Sequence, residues 1–185
     1  MILNEVIQTM FERRSVRAYQ AEQLSDEQLD TLLRCAISAP SARNAQPWHF
    51  TVLQDSKLID DFAGAFREGA RRSNEEWIRK LGENPDYHVF FHAPTVVLVS
   101  AKEGESGFNL GLAVQNLVLA AQSMGLASVI LGLPLRAFEG DGGREILERL
   151  KLPAGFRPFM CVSLGYPDQA PEARPRNFDV VDWIR

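Results

Sequence analysis

A chain of 185 residues with 45% hydrophobic content suits one domain that buries about 70% of its unfolded surface, so a single domain over residues 1–185 is expected. Its 20 Lys and Arg against 24 Asp and Glu leave a net charge of −4, which argues against nonspecific nucleic-acid binding, a process driven by surplus basic side chains. No apolar run approaches the ~18 residues of a membrane span, and Asn4, Glu5 and Gln8 interrupt the start of the chain where a secretory signal would be apolar.

The first predicted helix carries Leu3, Val6, Ile7, Met10 and Phe11 at helical spacing and ends at Arg13, Arg14, Ser15 and Arg17. Three guanidinium groups and a hydroxyl within five residues suit a phosphate, whose oxygens the planar arginine fork matches in pairs. Ser25 and Gln28 form a capping-box pattern ahead of Leu29, Leu32, Leu33, Ala36 and Ile37, and this second helix must stop before Pro40. A stiff loop follows, with Pro40, Ser41, Ala42, Asn44, Gln46 and Pro47. Its small side chains let the backbone approach a flat heterocycle, and Asn44 and Gln46 offer donors and acceptors to a polar ring edge. Trp48, Phe50 and Val52 alternate as a first strand. Leu58, Ile59, Phe62 and Phe66 then predict a third helix that runs into the charged stretch 67–82.

Thr95, Val96, Val97, Leu98 and Val99 form the unbroken run of a strand covered on both faces, so helices are expected on both sides of the sheet. Residues 108–126 are apolar almost all round. A helix of that kind needs more cover than one small domain supplies, and a dimer interface is expected there. Two further strands are expected at residues 128–131 and 159–164, with a shorter helix at 144–150 between them. After Gly165 the prolines 167, 171 and 175 exclude a helix, so the tail should travel extended, reaching a partner subunit and bringing a second basic pair, Arg174 and Arg176.

His88 and His92 share the spacing of two metal ligands on a helix. However, Val89 stands where a zinc motif needs glutamate and no third ligand is near, so ordinary, partly exposed histidines and no metal are expected. His49 is expected to satisfy its ring on a backbone group. Cys35 and Cys161 read as buried free thiols of a reducing compartment, which points to the cytoplasm. Gly140, Gly142 and Gly143 read as a surface turn, because Glu145 replaces the last glycine of a dinucleotide loop and no strand immediately precedes them. No nucleophile elbow is present, which weighs against acyl transfer and hydrolysis.

These segments together resemble the FMN-dependent nitroreductase superfamily. The matching motifs are the arginine cluster at residues 13–17, the loop at residues 40–48, the apolar stretch at residues 111–121, and Gly165-Tyr166-Pro167 with its later basic pair. The resemblance implies a homodimeric α+β fold, a three-layer α/β/α sandwich around a mainly antiparallel sheet, with the C-terminal segment exchanged between subunits and two FMN sites at the interface. It implies that Arg13, Ser15, Arg174 and Arg176 bind the FMN phosphate, that Arg14 holds the phosphate or ribityl region, and that Arg17 sits beside N1 and O2 of the ring. Pro40, Ser41 and Ala42 would line the isoalloxazine, with Asn44 at its polar edge from the other subunit, and Leu131, Gly132 and Leu133 would face N5 through their backbone. The implied activity is an NAD(P)H oxidoreductase, with NADH or NADPH as donor, acting by a ping-pong mechanism on nitroaromatics, quinones or related planar electron-poor acceptors. No catalytic acid or base is assigned. Reductive dehalogenation, flavin-ring chemistry and a flavin-binding sensor or carrier without turnover are the alternatives. Two positions depart from the family pattern: Ala42 stands where a second serine is frequent, and Asn109 where an acidic residue is common. Residues 67–91, the expected substrate cap, match nothing recognisable, although Glu75, Glu76, Trp77, Arg79 and Lys80 offer a polar and aromatic cluster that reads as a solvated helix face.

Overall fold

Ten regular elements succeed one another in the computed structural model, which describes residues 1–185: α1 (Glu5–Glu12), α2 (Asp26–Ile37), β1 (Trp48–Leu53), α3 (Ser56–Arg71), α4 (Glu76–Glu83), β2 (Thr95–Lys102), α5 (Phe108–Ser123), β3 (Ala127–Leu131), α6 (Gly142–Leu150) and β4 (Phe156–Gly165). Short 3₁₀ helices occupy Ala42–Asn44 and Leu133–Glu139. The strands form one antiparallel sheet in the order β1-β2-β4-β3, registered by Phe50 opposite Val99, Val97 opposite Val162 and Ile130 opposite Val162.

Strand β2 is buried on both faces from Thr95 to Ala101, as its unbroken apolar run requires. Side chains alternate across it. Val97 and Val99 join Leu29 and Leu32 of α2 and Leu110 and Leu117 of α5 in one core, while Val96 and Leu98 join Phe62 and Phe66 of α3 and Ile146 of α6 in the other. The result is the expected α/β/α layering.

Helix boundaries follow local chemistry. Asn4 caps α1 by accepting the Ile7 N–H at 2.9 Å. Ser25 and Gln28 make the reciprocal capping box of α2, with distances of 3.2 and 2.9 Å. One boundary differs from expectation: α3 ends at Arg71 and a separate α4 folds back upon it instead of one helix continuing through residues 67–82. The close approach of α4 depends on Gly82, where a Cβ would stand 2.7 Å from Arg71 N and 2.8 Å from Arg67 O.

The glycines at 140–143 also differ from a plain surface turn. Gly143 is buried, and a Cβ there would lie 2.2 Å from Ala137 O. The Gly142 N–H donates to the Glu68 carboxylate at 3.3 Å, so a carboxylate of this chain already fills the place where a nucleotide loop would hold phosphate.

Apolar surface remains uncovered in three places. Helix α1 buries no residue and exposes Val6, Met10 and Phe11; the tail beyond Gly165 forms no helix or strand and exposes Phe178, Trp183 and Ile184. Helix α5 buries one face, yet leaves Phe108 72% exposed. No helix is long and apolar enough to cross a membrane.

Candidate functional site

The segment after α1 runs beside the free edge of β3. Ser15 forms a parallel bridge with Ser128, and the Val16 N–H donates to Ser128 O at 3.1 Å. The Tyr19 hydroxyl donates to Val16 O at 2.7 Å and fixes the segment from its far side. At 3.3 Å per residue the path from Arg13 to Arg17 covers about 13 Å. It advances in the direction of β3, toward the point where Leu131 gives way to Gly132.

The start of the tail pairs with the same segment. Gln20 N–H donates to Tyr166 O and Asp168 N–H to Ala18 O, both at 3.0 Å. This return brings Arg174 and Arg176 to the first cluster within one chain, where the tail was expected to cross to a partner subunit. Arg13, Arg14, Ser15, Arg17, Arg174 and Arg176 line one cavity of about 170 Å³ with Pro171 and Glu172, and no hydrophobic residue contributes. The guanidinium of Arg13 is held below the usual arginine range, first by burial and then by the nearby charges of Arg14 and Arg176. Arg13 and Arg14 are half-buried while Arg17, Arg174 and Arg176 are exposed, and five like charges with Glu172 the one carboxylate among the lining residues are arranged for a multivalent anion. A phosphomonoester fits that requirement.

The individual roles differ. Arg14 bends back on the end of α1, donating to Phe11 O at 2.5 Å and Arg13 O at 2.9 Å, so it caps the helix while facing the cavity. Arg17 lies over the ring of Phe91, its Cζ 5.7 Å from the centroid. Leu131 is buried at the end of β3. Gly132 is exposed, and the Gly132 and Leu133 N–H groups stand at the start of a 3₁₀ helix, where backbone donors lack helical partners.

The loop at residues 40–48 is elsewhere in the same chain. Asn109, in the first turn of α5, accepts the Ala42 N–H at 3.2 Å and donates to Glu105 at 3.1 Å. Pro40, Ala42 and Asn44 are exposed and Ser41 is half-buried. Asn44 accepts from Gln46 at 3.2 Å, and Arg43, Asn44 and Gln46 all have positive φ, so the loop is shaped with little regular structure. It sits at the N-terminal end of α5. The arginine cavity adjoins Gln122 and Gly125 at the other end, through Arg14. Sixteen helical residues at 1.5 Å each separate the two by about 24 Å. Within one chain the arginine groups come together and the loop does not join them.

Several polar residues stand apart from their sequence reading. His88 is buried, not partly exposed; His92 is exposed. The His88 imidazole is held below the usual range, chiefly by burial and then by His92, against an opposing hydrogen bond to Asp60. No metal-binding group of His, Cys, Asp or Glu side chains forms. His49 lies edge-on to Phe156, centroids 5.9 Å apart, instead of on a backbone group. Cys161 is fully buried, which pushes its thiol up, whereas Cys35 is only half-buried. In the cap, Trp77 donates to Glu75 and Lys80 pairs with Glu76, so that cluster is the solvated helix face expected. The Phe91 ring beneath Arg17, with Tyr87 edge-on beside it, had no sequence signal, because only the fold brings residue 91 beside residue 17.

Comparison with known proteins agrees with the fold. A relative from Archaeoglobus fulgidus, provisionally named NADH dehydrogenase/NAD(P)H nitroreductase, is 33% identical over 165 residues, covering 89% of this chain and 87% of its own. An iodotyrosine deiodinase from Thermotoga neapolitana is 30% identical, over 92% of this chain and 93% of its own. A crystal structure of a nitroreductase with bound FMN from Bacteroides fragilis superposes with a TM-score of 0.92 at 27% identity, covering 99% of this chain and 100% of that one. Residues 10–166, from the end of α1 to the first residue after β4, match the Nitroreductase family, and the chain belongs to that family.

Proposed function

We propose that this protein is a homodimeric, FMN-dependent NAD(P)H oxidoreductase, one FMN-binding domain per chain, that reduces nitroaromatics, quinones or related planar electron-poor compounds. The observation that carries the reading is the arginine cavity, where five guanidinium groups, those of Arg13 and Arg14 half-buried, converge beside an edge strand. Bound FMN supplies a ring that accepts hydride from NAD(P)H and passes two electrons onward. Arg13, Ser15, Arg174 and Arg176 hold the phosphate, and Arg14 closes the cavity from the end of α1. Arg17 lies toward the far end of the same edge, where its cation favours negative charge at N1 and O2 of the ring. The N–H groups at Leu131, Gly132 and Leu133 face the N5 side. Pro40, Ser41, Ala42 and Asn44 reach the ring from the second subunit, which accounts for their separation of about 24 Å from the arginines of their own chain. Donor and acceptor take turns over one exposed ring face, giving ping-pong kinetics, and no side chain needs to act as acid or base.

The test is the visible spectrum of FMN-reconstituted protein, titrated anaerobically with NADH and with NADPH. Bleaching of the flavin band followed by recovery on adding a quinone or nitroaromatic is the expected result. Bound flavin that neither nucleotide reduces would make the protein a carrier or sensor, and colourless protein would remove the FMN assignment. Similarity to the Thermotoga iodotyrosine deiodinase supports a second reading, reductive dehalogenation of a halogenated phenol. Halide release from iodotyrosine under the same reducing conditions distinguishes the two.

A further inference from the structure

We propose that His88 is a positioning residue for Arg17, acting through the turn that carries Phe91; the inference rests on the flavin-edge placement of Arg17 given above. The Nδ1 atom of His88 accepts the N–H groups of Phe90 and His92, each at 3.3 Å. A proton on Nδ1 would face both donors, so the imidazole is neutral with its proton on Nε2, and Nε2–H donates to Asp60 at 3.2 Å. Both ring nitrogens are thereby committed within the chain. Asp60 and Arg67 of α3 and His92 in the turn itself are the titratable and charged groups around this ring.

The turn needs such an anchor. Phe91 and His92 are consecutive non-glycine residues with φ of 55° and 54°, a left-handed conformation that side-chain-bearing residues hold only when their surroundings impose it. Phe90 on one side is fully buried, and the His92 ring on the other stacks on His88 with centroids 4.2 Å apart. Phe91 stands between them, half-buried, edge-on to Tyr87 at 6.2 Å and beneath Arg17 at 5.7 Å. Arg17 forms no ion pair, and its one hydrogen bond, to Ser15 O, is long at 3.5 Å. The aromatic face is thus the main restraint on an otherwise swinging cation. Removing the Nδ1 acceptor frees the turn, displaces the Phe91 ring and releases Arg17 from a fixed position.

The experiment is the midpoint potential of FMN in the reconstituted protein for Arg17→Gln, His88→Gln, His88→Asn, Phe91→Leu and the double variant of Arg17→Gln with His88→Gln. Glutamine at 88 reaches Asp60 but offers no acceptor at the Nδ1 position, whereas asparagine restores that acceptor. Arg17→Gln should lower the reduction equilibrium about tenfold, close to 30 mV for a two-electron couple. His88→Gln and Phe91→Leu should each reproduce a third or more of that potential shift, His88→Asn should stay near wild type, and His88→Gln should add nothing once Arg17 is gone. An unshifted potential in Arg17→Gln overturns the flavin-edge placement and this proposal together. A normal Arg17→Gln shift with no effect of His88→Gln, or with an effect that persists in the double variant, overturns the role of His88 alone. Phe91→Leu leaves the anchor itself intact, so it serves if His88→Gln does not fold.

Discussion

Arg13 shows most directly how burial and charge combine at this site. Its guanidinium is partly withdrawn from water and flanked by Arg14 and Arg176, an arrangement that an anion relieves and that no carboxylate of the chain satisfies through an ion pair. Arg13→Ala should weaken FMN binding by about 2–3 kcal/mol, roughly 30- to 150-fold, measured by fluorescence quenching of added FMN. Retention of full affinity would place the phosphate elsewhere. Glu172 gives the opposite sign, since it lines the same cavity with a negative charge. Glu172→Gln should tighten FMN, by less than tenfold because the group is exposed and screened. The arginines were legible because their residue type and spacing already state their chemistry. Glu172 and Phe91 were not, because their significance lies in what stands beside them after folding.

At the level of elements, local rules were readable wherever a single short stretch decides the outcome. The α2 capping box is such a case, and Ser25→Ala should cost about 1 kcal/mol of stability in urea denaturation while leaving FMN affinity unchanged. The α3–α4 break was missed because α4 is set by packing: its buried Ile78 and Gly82 meet α3, and nothing in the charged stretch announces that contact. Gly82→Ala should destabilise by about 1–3 kcal/mol through overpacking against the α3 backbone. The turn before β2 brings a pH dependence. His88 is held below its ordinary value of 6.5 by burial and by His92, so the unfolded chain binds a proton more readily than the folded one. Its contribution to stability is therefore complete above about pH 6.5 and declines as the pH falls from there through the folded-state value. Urea midpoints measured between about pH 7.5 and pH 5 should fall less steeply in His88→Asn than in wild type; parallel curves would mean that His88 titrates alike in both states.

For the whole molecule, the decisive fact is the length of α5, which holds the small-residue loop and the arginine cavity at opposite ends. If two subunits complete each site, variants with Arg13→Glu and with Ala42→Trp should each lack FMN-dependent activity alone. Denatured together and refolded as a mixture, they should recover about a quarter of wild-type activity, since half the dimers are mixed and each mixed dimer holds one intact site. Recovery near zero would show that each chain builds its own site. The uncovered faces of α1, α5 and the tail are consistent with such an assembly. The sequence by itself determined the periodicity of the helices, the doubly covered strand, the clustering of arginines after the first helix and the stiffness of the loop, because each depends on neighbours within a few positions. Only the tertiary structure decided that the tail arginines return to the first cluster, that the loop stays away from it, that His88 is buried and that an aromatic ring lies beneath Arg17. Those outcomes depend on strand order and on the packing of segments tens of residues apart, which local spacing does not encode.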